Sequence, residues 1–207
     1  MKRFCYYIRH ILVIACLAVI LVIPSVASAI PGAYGNGAYG TCTYNTCGIT
    51  LTSSGTVNIN IIPGASTACT TQSDSVAVTT DSSTGYSLSM QNTATTGSLL
   101  GSGANTIPTS SGSQASPLAL TANTWGYRVD SVGGFGAGPT SAGSNAATSI
   151  TTFAAIPTSA QSADNLATTS AAANPAVTTT VWYGVCSDTT IPADTYSSIV
   201  TYTAVVN

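Results

Sequence analysis

Several segments of the chain alternate apolar and polar residues with a period of two, which is the pattern of a β-strand with one buried face. The alternating segments are 49–52, 57–61, 76–79, 86–90, 125–129, 181–185 and 196–206. Clusters of Gly, Ser, Thr, Asn and Pro separate them, and only residues 160–173 suggest a short helical turn. The pattern therefore predicts an all-β chain.

Many short strands with Gly- and Ser-rich connections predict a two-sheet antiparallel sandwich with an immunoglobulin-like layout, and a closed barrel is the alternative. Residues 74–90 are typical of a hairpin, because two alternating segments flank turn residues 81–85. Residues 196–206 are half-apolar on both faces. We expect this last strand to be central in its sheet or covered on both sides.

The first 29 residues have the pattern of a secretory signal peptide. Three basic residues precede the 13-residue apolar run 11–23, and Ala27-Ser28-Ala29 predicts cleavage before Ile30. That run is shorter than the roughly 20 residues of a membrane-spanning helix. The alternatives are an uncleaved leader, which would be the chain's only membrane contact, and a lipid anchor at Cys16. We expect a secreted protein associated with the cell surface.

Residues 30–47 predict a flexible arm, and residues 48–207 predict one β-sandwich domain. The arm repeats Gly-Ala-Tyr-Gly on both sides of Asn36. A plain linker is one interpretation. The functional interpretation is an arm, residues 30–41, that adds a strand to the edge of a neighbouring subunit.

Four cysteines follow the leader, and an even number in an exported chain favours disulfides. They are Cys42, Cys47, Cys69 and Cys186. Of the three possible pairings we favour a local Cys42–Cys47 loop and a long Cys69–Cys186 bridge. Zinc is the competing interpretation, but the chain after the leader has no His to complete such a site.

Removal of the leader leaves Arg128 as the only cation and six acids, all Asp, with no Lys, His or Glu. A Ser-His-Asp or Cys-His catalytic system would lack its base. One Arg cannot supply the phosphate contacts of nucleic-acid binding, and the lysine of a P-loop is missing. We therefore expect neither an enzyme nor a nucleic-acid-binding protein.

The aspartates suggest little chemistry, because most fall in predicted turns or at strand ends. We expect no cofactor, although calcium, which needs only carboxylate, carbonyl and water ligands, is left open. Asp188 and Asp194 flank one short connection, and Asp74 and Asp81 are expected at the two ends of one strand. An Asp-only hydrolase would need two of these carboxylates close together in a cleft.

Aromatic residues divide by their strand register. The residues in the apolar register, expected in the core, are Trp125, Tyr127, Tyr183 and Tyr202. Trp182 is out of register and is the best candidate for a ligand-contacting aromatic. We group it with Asp188 and Asp194 as a candidate ligand-binding set. Arg128 and Asp130 share one strand face, which predicts a surface ion pair.

Three segments carry a resemblance to known proteins. Residues 76–90, 123–127 and 191–204 resemble parts of uncharacterised exported Thr/Ser-rich surface proteins of small-genome bacteria. The last segment is also similar to the final strand of fimbrial and spore-coat-U-like domains, where a Gly stands in place of Asp194. The resemblance implies a surface-exposed or secreted sandwich and no catalytic residue.

These observations favour a secreted or cell-surface structural or attachment protein that self-associates or binds other surface proteins. The alternative is a module that binds glycan or a host surface through its loops and exposed aromatic residues.

Overall fold

Antiparallel β-strands make up the regular structure of the protein, for which a computed structural model describes residues 38–39, 42–43, 48–63, 66–149 and 151–207. Strands account for 46% of the described residues. Within the described ranges there is no α-helix, only a short 3-10 turn at Ser102–Ala104. None of these residues forms a helix that is long and apolar enough to cross a membrane. The all-β prediction is confirmed.

Fourteen strands follow one another within the described ranges. They are β1 (Ala38–Tyr39), β2 (Cys42–Thr43), β3 (Ile49–Ser53), β4 (Ala68–Thr80), β5 (Tyr86–Asn92), β6 (Leu99–Leu100), β7 (Thr106–Ile107), β8 (Leu118–Ala119), β9 (Thr124–Arg128), β10 (Gly143–Ala146), β11 (Thr152–Phe153), β12 (Asp164–Thr168), β13 (Ala173–Ser187) and β14 (Val200–Val206). The predicted signal peptide, residues 1–29, and most of the predicted arm lie outside the described residues.

Two antiparallel sheets contain the longer strands. The first has the order β10-β4-β13-β9, with β3 also paired to β4, and the second has the order β12-β5-β14. Apolar side chains from both sheets form one buried cluster, which includes Val78, Leu88, Met90, Tyr127 and Val181. This arrangement is consistent with a β-sandwich. Three two-stranded pairs, β1-β2, β6-β7 and β8-β11, lie in the connections.

The predicted hairpin at residues 74–90 is wrong, although both of its strands are present. β4 pairs with β13 along one edge and with β3 and β10 along the other, so no edge is left for β5. Residues 81–85 instead carry the chain from the first sheet to the second, where β5 pairs with β12 and β14. A period of two shows which face of a strand is buried, but not which strand lies beside it.

The final strand is also placed differently from our expectation. β14 pairs only with β5 and lies at the edge of the second sheet. Val205 is 57% exposed and the adjoining Ile199 is 69% exposed, so the outer apolar positions face solvent rather than a covering layer. The helical turn suggested for residues 160–173 is absent, because β12 occupies that segment.

Residues 57–61 are extended but do not form a paired strand. Val57, Ile59 and Ile61 are half-buried against the core, while the intervening residues are exposed. The alternation therefore reports burial correctly.

Candidate ligand-binding site

The register of β13 places Trp182 on the outer face of the first sheet. Val181, Tyr183 and Val185 are buried in the core, so the residue between the first two points to the opposite face. Trp182 is the antiparallel partner of Arg128 on β9 and is half-buried there.

A break in strand pairing creates a cleft beside Trp182. β9 ends at Arg128, whereas β13 extends back to Ala173 without a neighbour on that side in the described chain. Tyr127 exchanges both of its main-chain hydrogen bonds with Ala154, and its N–H and C=O therefore point away from β13. By the alternation of an antiparallel ladder, the main-chain groups of Thr180 and Thr178 are directed into the gap.

The cleft encloses about 450 Å³. Val129, Val132 and Leu166 form an apolar floor between the two sheets. The rim residues with polar or aromatic side chains are Asp130, Thr140, Thr178, Thr180 and Trp182. Thr178 and Thr180 are exposed. The cleft therefore has an apolar base and a hydroxyl-rich rim, a combination found in many ligand pockets.

The predicted surface ion pair of Arg128 and Asp130 is in fact largely enclosed. The Arg128 side chain is only 5% exposed, and its Nε donates to Asp130 Oδ1 and to Thr140 Oγ1, both at 2.7 Å. Its terminal nitrogens donate to the carbonyl oxygens of Gly136 and Ala137 at 3.3 and 3.4 Å. Loop 131–140 folds over the guanidinium, a covering that strand register alone does not reveal.

Asp130 anchors this loop from the other side. Its Oδ2 accepts from the main-chain N–H of Thr140 at 2.7 Å, and its Oδ1 accepts from the Thr140 hydroxyl at 2.6 Å. Burial raises the pKa of Asp130, but the hydrogen bonds from Thr140 and the nearby charge of Arg128 outweigh burial and hold that pKa below its usual value. The cleft therefore contains an ionised carboxylate whose charge Arg128 balances.

The structure does not bring the three predicted ligand-binding residues together. Trp182 lines the cleft, whereas Asp188 follows the opposite end of β13, about 20 Å away at the usual rise of a strand. Asp188 Oδ1 accepts from Asn123 and from Thr190, and Asp194 Oδ2 accepts from Ser102. These hydrogen bonds lower the pKa of both carboxyl groups. Each aspartate therefore ties its own connection to a distant segment, Asp188 to that of Asn123 and Asp194 to that of Ser102.

A buried carboxylate that the sequence analysis missed lies between the sheets. Asp74, expected at a strand end, lies in the middle of β4 and is 2% exposed. Its Oδ1 accepts from the main-chain N–H of Ser54 at 2.9 Å and from the Ser54 hydroxyl at 2.5 Å. The sequence did indicate this burial, because Asp74 falls in the same alternating register as Val76 and Val78.

Tyrosine hydroxyls form the second polar group of the core. The hydroxyls of Tyr183 and Tyr202 lie 2.6 Å apart, and the Tyr127 hydroxyl donates to Asp164 Oδ2 at 2.6 Å. Burial, more than any other cause, raises the pKa of all three tyrosines and of Asp164. The core placement of these tyrosines and of Trp125 agrees with prediction, with Tyr202 only half-buried. We assign these contacts to joining the two sheets.

The predicted Cys69–Cys186 disulfide is confirmed. The two cysteines are direct partners on β4 and β13 and are 117 positions apart in sequence. They pack with Leu120 and Phe153 on the outer face of the first sheet. A second cavity of about 500 Å³ adjoins Cys69, but its lining has no ionisable group. Of the predicted Cys42–Cys47 loop, the structure describes only Cys42–Thr43, as β2, and Cys47 lies outside the described residues, so this pairing stays a prediction.

No group of three or more His, Cys, Asp or Glu side chains that could hold a metal ion occurs in the part of the chain that the structure describes. Comparison with known proteins gives no further guide to the site. No family model matches the chain, and neither does any curated protein or solved structure.

Proposed function

We propose that the protein is a secreted or cell-surface β-sandwich with an immunoglobulin-like layout, and that it acts without catalysis as a structural or attachment subunit. The layout is supported by two antiparallel sheets that share one core. The proposed location rests on the leader pattern of residues 1–29 and on the disulfide between Cys69 and Cys186.

One observation carries the proposal of self-association: the outer face of the second sheet has no charged side chain. Its outward residues are Ser87, Ser89, Gln91, Asn165, Thr168, Thr201, Thr203 and Val205. Edge strands of soluble monomers are normally protected by Lys, by other charges or by Pro. β14 is an edge strand of seven residues with none of these, and Val205 on it and Ile199 just before it are exposed.

Light scattering and negative-stain microscopy of the protein purified from cells that express the full chain test this proposal. We expect discrete oligomers, filaments or sheets. Val205→Lys should shift the distribution to monomer, because a charge on the edge opposes pairing with a second copy. Ala142→Lys adds the same charge at an exposed loop position away from β14 and should leave the distribution unchanged.

A monodisperse monomer of the unaltered protein would contradict the assembly proposal. If Val205→Lys has no effect, deletion of residues 30–41 tests the predicted arm as the assembling element. An oligomer that survives both changes would exclude β14 and the arm as the contacts.

A further inference from the structure

The cleft beside Trp182 has the size and form of a small-ligand site, independently of the proposed self-association. Its volume of about 450 Å³ falls within the roughly 300–1,000 Å³ of typical ligand pockets. The strand missing beside β13 leaves it open at the sheet edge. A ligand there would lie over Val129 and Leu166, which are 5% and 1% exposed, with the rim on its other side.

Trp182 supplies a flat apolar wall. Its side chain is half-buried, whereas the side chains of the neighbouring residues Val181 and Tyr183 are buried in the core. A pyranose ring presents C–H groups on its faces and hydroxyls around its rim, so it can stack on an indole while its polar groups stay free. A rigid ring with a face of C–H groups suits the single aromatic wall better than a flexible alkyl chain does.

The rim supplies hydrogen-bonding groups spaced along the strand edge. Thr178 and Thr180, two positions apart on β13, line the gap with hydroxyl-bearing side chains and direct their main-chain groups into it. Asp130 Oδ2 accepts only the Thr140 N–H and keeps acceptor capacity. These groups complement vicinal hydroxyls, which both donate and accept.

The charge of the site selects among hydroxylated ligands. Arg128 balances the charge of Asp130, and its guanidinium already donates hydrogen bonds to Asp130, to Thr140 and to the loop carbonyls. No other charged side chain of the described residues lines the cleft. An anionic sugar would therefore lose hydration without gaining a cation, and a cationic ligand would find a carboxylate that is already paired.

We propose that this cleft binds one uncharged pyranose unit of a glycan, stacked on Trp182 and hydrogen-bonded to Thr178, Thr180 and Asp130. The probe is an array of neutral oligosaccharides that end in glucose, galactose, mannose or N-acetylhexosamine, printed beside their sialylated and sulfated counterparts. The protein expressed from the full chain should bind a subset of the neutral glycans and bind their acidic counterparts more weakly.

Matched variants identify the residues. Trp182→Ala should weaken binding at least 10-fold and Trp182→Phe less, because Phe retains a stacking face. Thr180→Val, which removes one hydroxyl at constant shape, should weaken binding several-fold. Thr201→Val makes the same change on the second sheet and should have no effect. If Trp182→Ala does not fold, Trp182→Phe and Thr180→Val carry the test.

Absence of binding to every neutral glycan, equal or stronger binding of acidic glycans, or unchanged affinity of the Trp182 and Thr180 variants would each overturn the inference. Val205→Lys separates this site from assembly. It should retain glycan affinity per molecule even where it abolishes oligomers, so failure of either proposal is visible without the other.

Discussion

Arg128 Nε and Asp130 Oδ1 lie 2.7 Å apart at the end of β9, and loop 131–140 encloses the pair. Breaking an enclosed ion pair by removing one partner leaves the other charge uncompensated. Asp130→Ala should therefore lower the free energy of unfolding by about 3 kcal/mol, measured by urea denaturation. Replacing both residues, as Arg128→Met with Asp130→Leu, should cost less than Asp130→Ala alone. A loss below about 1 kcal/mol for Asp130→Ala would show that the pair is effectively solvated.

Acid should weaken the same contact. The pKa of Asp130 in the folded protein lies below its ordinary value of 3.8, so its contribution to stability is complete above that pH and is lost as pH falls through the folded-state pKa. Between pH 5 and pH 3, the urea midpoint of the unaltered protein should therefore fall by more than the midpoint of Asp130→Asn does.

Asp164 gives a control of opposite sign. Burial raises its pKa in the folded protein, so its contribution is present at low pH and declines as pH rises past 3.8. Asp164→Asn should therefore steepen the loss of stability between pH 5 and pH 3. The two variants together separate specific carboxyl effects from general acid sensitivity.

Burial was more predictable from the sequence than strand pairing. The alternation of apolar residues placed Val76, Val78, Leu88 and Tyr183 in the core. The even number of cysteines after the predicted leader favoured disulfides, among them the Cys69–Cys186 bridge. The neighbour of each strand depends on which edges are still free, so the partner of β5 and the edge position of β14 were not readable from period alone.

The sequence indicated only one part of the cleft, the aromatic residue in its lining. Trp182 stood out because it breaks the apolar register of β13. Its surroundings arise from the early end of β9 and from a loop held by Arg128, and both depend on contacts between residues distant in sequence or in irregular structure. For the same reason, the sequence pattern grouped Trp182 with Asp188 and Asp194 instead of with Asp130.

The hydroxyl of Tyr86 is buried and has no hydrogen-bond partner among the described residues, whereas that of Tyr127 donates to Asp164. Tyr86→Phe should be neutral or stabilise the protein by up to about 1 kcal/mol, because it removes an unsatisfied polar group. Tyr127→Phe should destabilise by about 1 to 3 kcal/mol, since it also leaves a carboxylate without its donor. Thermal unfolding of both variants provides the comparison, and equal shifts would contradict the assignment.

Reduction of the Cys69–Cys186 bridge should release a long loop in the unfolded chain. The entropic estimate for loops of this length is about 4 to 5 kcal/mol. The double replacement Cys69→Ser with Cys186→Ser should lower the unfolding free energy by a comparable amount, partly offset by any residual structure in the unfolded state. Peptide mapping under non-reducing conditions checks the pairing and reports whether Cys42 and Cys47 are also joined.

Gly126 allows β11 and its flanking residues to approach the first sheet. A Cβ on Gly126 would lie 2.5 Å from the carbonyl oxygen of Ala154, which also bonds to the Tyr127 N–H at 3.0 Å. Since that neighbour is main chain and cannot rotate away, Gly126→Ala should destabilise by about 1 to 3 kcal/mol. Gly143→Ala is the matched control, because a Cβ there meets nothing within 4 Å, and it should leave stability unchanged or raise it by up to about 1 kcal/mol. If Gly126→Ala proved as harmless as Gly143→Ala, the segment around Ala154 would not be packed as closely on β9 as the structure places it.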